Sequence, residues 1–373
     1  MIYLDNAATT KPSPAVLAAL CASADTFWAN PSSLHSQGIA AAQAFDDAVA
    51  DISRRFFSNE RFVLTSGATE ANNLALLSLL SSSKRGEIVA TTAEHKSISE
   101  PLKVLESKGF DVIRVKPNED LSTRVTDKTF LVTTLAVNNE TGYITDTKRL
   151  YNAVKRANRN TRVHIDGVQA FLKTPLYGDT VSVSAHKVHG LKGTGGLFIR
   201  QGVRQPPIIY GGGQQGGIRP GTLSAESALA FAAAIADYHY NGAHFTELSN
   251  LFLKLLSDEA DVYIVSCERK GGGFGEFAGN NFNRENFASH IIALGIKGIP
   301  GEVVTNFLSQ HGVMASPGSA CGGSKSSGVF SSFVGETRGG EAFRVSFSKH
   351  TTQEDIITAA DLIKQAAREI HRY

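Results

Sequence analysis

From residue 60 to about residue 200, short β-branched or aromatic runs alternate with stretches of helical apolar spacing, and this alternation constrains the fold more than any other feature of the chain. Strand and helix in repeated turn require crossover connections and a mostly parallel sheet. The runs predict strands at Arg61–Thr65, Glu87–Thr91, Val112–Val115, Phe130–Val137, Arg162–Ile165, Val181–Val183 and Leu197–Ile199. Apolar spacing predicts helices at Ala71–Leu80 and Thr147–Ala157, with amphipathic helices at Ala15–Ala24 and Ala40–Ile52 ahead of the sheet. Near residue 245 the pattern changes. A helix at Leu248–Leu256, strands near Val262–Val265 and Phe343–Phe347, and a last helix at Gln353–Ile370 read as a smaller α+β unit. The extended opening at Ile2–Leu4, followed by Pro12 and Pro14, is compatible with either unit. The expected organisation is an α/β large domain over 13–244 and a small domain formed by 1–12 and 245–373.

Composition narrows the function classes. The formal charge of +2 is too small for a surface designed around nucleic acid or anionic lipid, so neither is expected as a partner. The longest apolar run, Ala228 to Ala236, falls well short of the roughly 20 residues that cross a bilayer. The opening Met1 to Asn6 has neither a basic nor an apolar signal region, which makes a cytoplasmic address the expectation. Cys21, Cys267 and Cys321 are far apart and form no C-x-x-C pair, against both a disulfide framework and a thiolate zinc cage. Cys21 and Cys267 read as small packing residues. Cys321, set in Ser316-Pro-Gly-Ser-Ala-Cys-Gly-Gly-Ser324, reads as an exposed thiol in a pliant loop.

In open α/β sheets ligands bind beyond the carboxyl ends of the strands, and polar residues gather at four such ends here. Ser66-Gly-Ala-Thr-Glu70 opens a helix whose free N–H groups suit an anion. Asn138 to Gly142, His164 to Gln169, and Ser184-Ala-His-Lys187 with the glycine-rich Gly190 to Gly196 are the others. The Ser66 turn is not a Walker loop, since no Gly-Lys-Ser/Thr follows, and the stretch Gly190 to Gly196 does not spell G-x-G-x-x-G. Two chemistries can use the set. Asp166 with His164, His186 and His189 could ligate a divalent metal for hydrolysis, which leaves Lys187 and the anion loop idle. Pyridoxal 5′-phosphate gives each piece a role: Lys187 as Schiff base, Asp166 as partner of the protonated pyridine nitrogen, and Ser66 to Thr69 with Ser184 and His186 around the phosphate.

The runs Tyr3 to Thr10, Asn30 to Ser33, Thr65 to Asn73, Glu94 to Lys96, Val137 to Gly142, His164 to Gln169, Ser184 to His189, Gly211 to Thr222 and Gly318 to Cys321 together resemble the cysteine desulfurases of the NifS and IscS kind. These are class V aminotransferase-like enzymes with the fold-type I architecture, a large domain with a mostly parallel seven-stranded sheet and a smaller α+β domain. The resemblance implies a homodimer that uses pyridoxal 5′-phosphate to convert L-cysteine to L-alanine, placing the sulfur on Cys321 as a persulfide. From there it passes to an acceptor such as an iron–sulfur scaffold protein or another thio-cofactor path. Lys187 matches the Schiff-base lysine, His95 the imidazole stacked on the cofactor, Asp166 the pyridine partner and Gln169 the contact to the ring hydroxyl. Ala68, Thr69, Ser184 and His186 match the phosphate cup, and Thr222 a residue reaching the phosphate of the neighbouring subunit. Asn138 and Arg344 match groups that hold the substrate, Arg344 by a bidentate clamp on its carboxylate. Selenocysteine lyase, or another reaction of the same class V scaffold, shares this pattern. Pro317 stands where serine is more usual, and the segment after Arg344 lacks a customary glycine. The longer tail with which some members dock a scaffold is expected to be absent.

Overall fold

The computed structural model describes residues 1–56, 60–268, 283–318 and 328–370. Its strands are β1 (Ile2–Tyr3), β2 (Arg61–Thr65), β3 (Glu87–Thr91), β4 (Asp111–Val115), β5 (Thr129–Leu135), β6 (Arg162–Asp166), β7 (Thr180–Ser184), β8 (Gly195–Ile199), β9 (Val262–Ile264), β10 (Ile291–Ile296), β11 (Val313–Met314) and β12 (Ala342–Ser346). The alternating segment forms one sheet in the order β2-β8-β7-β6-β5-β3-β4. β3 to β7 pair in parallel, and β8 runs antiparallel to both β7 and β2. Every strand except β8 therefore points its carboxyl end to the same edge.

Side chains alternate across this sheet with period two, which builds two cores. Phe62, Leu64, Val89, Val132, Val163, Val181 and Phe198 face one core, shared with Val16, Ile52, Val154 and Phe231 from helices. Val63, Ile88, Ala90, Leu131, Leu197 and Ile199 face the other, shared with Leu74, Ala75, Leu102 and Leu105. Burying each Val, Leu, Ile or Phe side chain contributes roughly 1.5–3 kcal/mol, so the three-layer sandwich is held mainly by these two faces. The second unit is a β12-β10-β9 antiparallel sheet backed by Gly242–Leu256, Gly301–Gln310 and Gln353–Glu369. A capping box at Thr352 and Asp355 starts the last of these helices.

Several boundaries differ from expectation. The helix expected at Ala71 begins at Ala68 and gives way to a 3₁₀ turn at Ser78–Ser81. β5 stops at Leu135: the Ala136 N–H makes the last ladder bond, to the Asp166 carbonyl, and Val137 then bridges Ile144 across a turn. The helices Lys96–Ser107, Ala225–Asp237 and Gly301–Gln310 and the strand β10 were not anticipated. Pro101 inside the first masks its periodicity, and the second is so apolar that it shows no polar face. Cys267 is buried as expected, whereas Cys21 is exposed. The helix Pro14–Thr26 buries Val16 and Ser23 on its packed face, leaving Cys21 on the solvent side.

The opening segment connects the two sheets to the strand ends. β1 pairs with β11, and the Ser346 N–H donates to the Leu4 carbonyl. Beyond Leu4 the chain crosses over: Thr10 N–H donates to the His186 carbonyl and Ser13 N–H to that of His189. Residues 5–13 are thereby laid across the carboxyl edge of the large sheet.

Candidate active site

Lys187 lies in a short 3₁₀ turn directly after β7, where its amine donates to the carbonyls of Ala7 at 2.7 Å and Ala8 at 2.6 Å. Burial, with the positive charge of Arg344 behind it, pulls this amine down to about 8, against the opposing pull of Asp5 and Asp166. A lysine so placed is an amine partly deprotonated near neutrality. Under it sits Lys173, whose Nζ donates to the carbonyls of Gln169 at 3.3 Å and of Lys187 itself at 3.4 Å, and which burial brings to about 7.

Asp166 ends β6 and is buried, its Oδ1 accepting from Val168 N–H at 3.1 Å and its Oδ2 from Asn72 Nδ2 at 2.9 Å. Both donors are neutral. The neighbouring carboxyl, Glu94, is fully buried, and burial raises it to about 8 although Thr91 donates to it at 2.6 Å. Glu94 thus keeps its proton near neutrality. His95, exposed, caps the helix Lys96–Ser107 with Nδ1 accepting from Ser97 N–H at 3.1 Å.

At the β2 end, Gly67 caps the helix Ala68–Leu77 without a side-chain hydrogen bond, and a Cβ built there would meet nothing within 4 Å. A Cβ at Gly195, by contrast, would come within 2.7 Å of the Gly67 Cα, so glycine there lets β8 approach the loop. Thr69 is exposed, Ser184 ends β7, and the His186 Nδ1 faces the Thr9 hydroxyl at 3.1 Å. Burial, with Lys187 and Lys192 nearby, pushes His186 down to about 4, leaving it neutral.

Gln169 donates from Nε2 to the same Ala7 carbonyl that receives Lys187, at 2.8 Å. Asn138 uses its Oδ1 to hold its own turn, accepting from Glu140 N–H, Thr141 N–H and the Thr141 hydroxyl, while Nδ2 donates to Ala93 at 3.1 Å. Arg344 is buried on β12, its Nη2 paired with Asp5 at 2.6 Å and its Nη1 donating to the Asn139 carbonyl at 2.7 Å. Its Nε is buried without a partner. The fork expected to grip a carboxylate is already half engaged by Asp5. Thr222 is exposed beside Thr65 and Ser66 of its own chain, in a cavity of about 130 Å³. Its segment is pinned there by Gln215, which bonds both the N–H and the carbonyl of Leu64, and by the Arg219–Glu70 ion pair at 2.8 Å. Cys321 lies outside the described residues.

The histidines of the metal alternative are spent elsewhere. His164 is wholly buried against Asn72 and Thr180, His186 faces Thr9, and His189 faces the Lys11 carbonyl at 2.9 Å. Among the described residues no group of three His, Cys, Asp or Glu side chains gathers as metal ligands would. Sequence reading gave no role to Asp5, the Ala7 and Ala8 carbonyls, Asn72, Ser97 or Lys173. Asn72 and Asp5 lie inside motif runs, but nothing in a linear pattern assigns their partners.

Residues 2–358 match the family described as "Aminotransferase class-V". The chain is 32% identical to "Cysteine desulfurase IscS" of Rickettsia akari, over 97% of this chain and 90% of that one. Its fold superposes on a solved NIFS-like protein with a TM-score of 0.85 at 28% identity, covering 98% of each chain. A structure described as "SspA in complex with cysteine" matches at a TM-score of 0.77 and 25% identity, over 94% of this chain and 100% of that one. The chain belongs to the class V aminotransferase family, in its cysteine desulfurase branch.

The cofactor of this family is pyridoxal 5′-phosphate. The donor set of this cysteine desulfurase family member fits that group. An amine near 8, a buried carboxyl with two neutral donors, and a helix N-terminus open at Gly67 meet at one edge of the sheet. Neutral His186 and the hydroxyls of Thr69 and Ser184 suit a phosphate, and the N-terminal helix dipole adds to them. Arg344 and Asp5, delivered from the second sheet and the opening segment, close the site from the other side.

Proposed function

We propose that this chain is a pyridoxal-phosphate-dependent L-cysteine desulfurase whose Cys321 receives the sulfur. The observation that carries the reading is the convergence of Lys187, Asp166 and the Gly67 helix start on one sheet edge, with Arg344 beside Lys187. Bound there, the cofactor supplies an electron sink that makes the substrate α-carbon acidic. Asp166 maintains that sink with its negative charge, and His95 covers the ring. Ala68, Thr69, Ser184 and His186 hold the phosphate, with Thr222 completing the cup across a homodimer. Gln169 and Asn138 orient ring and substrate, and Arg344 the substrate carboxylate. Lys187, as a free amine, moves the proton between substrate carbons.

The sulfur step balances without an outside oxidant. The substrate C–S bond breaks, an S–S bond forms to Cys321, and the carbon takes the thiol's proton, so cysteine plus enzyme thiol becomes alanine plus enzyme persulfide. An acceptor, such as a protein building iron–sulfur clusters, then removes the sulfur. A cytoplasmic setting agrees with the absence, among the described residues, of any helix long and apolar enough to cross a membrane. Trp28, Leu34 and Tyr210 are 70%, 93% and 85% exposed beside the Asn30–Ser33 and Gly211–Thr222 segments, which supports a self-association surface. The proposed division is a large domain over 13–244 and a small domain of 1–12 and 245–373 bearing the Cys321 segment.

Cys321→Ser is the direct test. The variant should retain cofactor absorbance while sulfide and alanine formation from L-cysteine falls at least about 10²-fold. Desulfuration at the parent rate would remove Cys321 from the reaction. The Asp5–Arg344 pair adds a second expectation. A substrate carboxylate must compete with Asp5 for the guanidinium, so Asp5→Asn should lower the KM for L-cysteine about three- to tenfold, the scale of one partly exposed ion pair. A raised KM would mean that Asp5 builds the pocket instead of competing for it.

A further inference from the structure

We propose that Asn72 is a positioning residue that orients Asp166 and His95 together, through a directed chain of hydrogen bonds that reinforces the His95 tautomer already favoured by the Ser97 N–H. The proposal rests on the reading that Asp166 and His95 face the cofactor. Asn72 is fully buried on the helix Ala68–Leu77, and its amide contacts three other groups. Nδ2 lies 2.9 Å from Asp166 Oδ2 and 2.8 Å from Ser97 Oγ, and Oδ1 lies 2.9 Å from His164 Nε2.

The direction of each bond follows from what each partner can do. A carboxylate only accepts, so the amide nitrogen must face Asp166 and the amide oxygen must face His164. His164 therefore carries its proton on Nε2, and its Nδ1 accepts from the Thr180 hydroxyl at 2.9 Å. The second Asn72 N–H goes to Ser97 Oγ, leaving the Ser97 hydroxyl proton to be given away. His95 Nδ1 stands 2.7 Å from that oxygen and also receives the Ser97 N–H. With Nδ1 accepting, neutral His95 holds its proton on Nε2. One amide thus donates to Asp166 and, by occupying Ser97 Oγ, directs that hydroxyl proton onto His95 Nδ1, which the Ser97 N–H also holds as an acceptor. The contributing residues come from the segments following β2 and β3 and from β6 and β7, so the alignment depends on the register of four strands.

Three measurements on the holoenzyme test this. Ring ¹⁵N shifts of His95 in the parent protein should report a protonated Nε2 and an unprotonated Nδ1. A protonated Nδ1 would reverse the chain and overturn the proposal. Asn72→Leu should lower kcat for L-cysteine about 10- to 100-fold with KM little changed, the scale of one hydrogen bond to a charged group, and should shift the absorbance maximum of the bound cofactor. Ser97→Ala, which removes the hydroxyl linking Asn72 to His95 but keeps the Asn72–Asp166 bond and the Ser97 N–H, should lower kcat while leaving that maximum in place. Should Asn72→Leu reduce the melting temperature yet keep the parent kcat and spectrum, Asn72 is merely structural. If Asn72→Leu fails to fold, the ¹⁵N shifts and Ser97→Ala still decide the matter, since a parent kcat in Ser97→Ala overturns the arm to His95. A parent protein without cofactor absorbance or desulfuration would sink the desulfurase reading, while the ¹⁵N result on His95 would still judge the hydrogen-bond chain.

Discussion

Lys187→Ala should abolish the borohydride-reducible chromophore and lower desulfuration of L-cysteine by about 10²–10⁴-fold, the range expected when a positioned proton carrier is lost. Retention of that chromophore would transfer the covalent role to another amine, and Lys173 beneath the Lys187 peptide would be the first to examine. The fold should survive, because the amine's two acceptors are backbone carbonyls at a partly open site that water can reach. The same lysine gives a pH signature in the parent protein. The neutral amine is the form that captures an aldehyde, and burial together with Arg344 has brought Lys187 from 10.5 to about 8. Cofactor uptake by apoprotein should therefore accelerate as pH rises toward 8 and flatten above it, followed by stopped-flow absorbance. Uptake that keeps climbing to the ordinary lysine range near 10.5 would contradict the buried, cation-flanked environment.

Asp166→Asn is expected to be nearly as damaging, for two separable reasons. A neutral amide cannot sustain the electron sink, which should reduce kcat by about 10²-fold or more. It also has a single acceptor oxygen where the carboxylate offers two, one to Val168 N–H and one to Asn72 Nδ2. Its own NH₂ must then face one of those donors, at a cost of about 1–3 kcal/mol for a buried unmet group. Kinetics with L-cysteine and thermal unfolding measured on the same preparation separate the two effects. Unaltered kcat with a lowered melting temperature would leave Asp166 only a structural role.

Much of this was legible in the chain. Alternation of short apolar runs announced the large sheet, because a strand buried on both faces has to be apolar along its length. Lys187, Asp166 and the Gly67 loop were visible as polar residues just past those runs, where backbone leaves the sheet and side chains meet solvent or ligand. The helix Lys96–Ser107 was not, since Pro101 interrupts the pattern that packing of Ile98, Leu102 and Leu105 nonetheless sustains.

What the sequence determined by itself was residue chemistry and its place along the strands: a lysine, an aspartate and an anion-binding turn at successive ends, and one cysteine set apart in a glycine-serine run. Tertiary structure decided which of those groups meet and in what state. Only the crossing of the opening segment sets Asp5 on Arg344 and the Ala7 carbonyl on both Lys187 and Gln169. Only the strand register aligns His164, Asn72, Ser97 and His95 into one directed chain. Hydrogen bonds between residues distant in sequence, and the burial that moves Lys187 and Glu94 off their usual protonation, arise when the sheets close, and a linear pattern carries no record of that distance or dielectric.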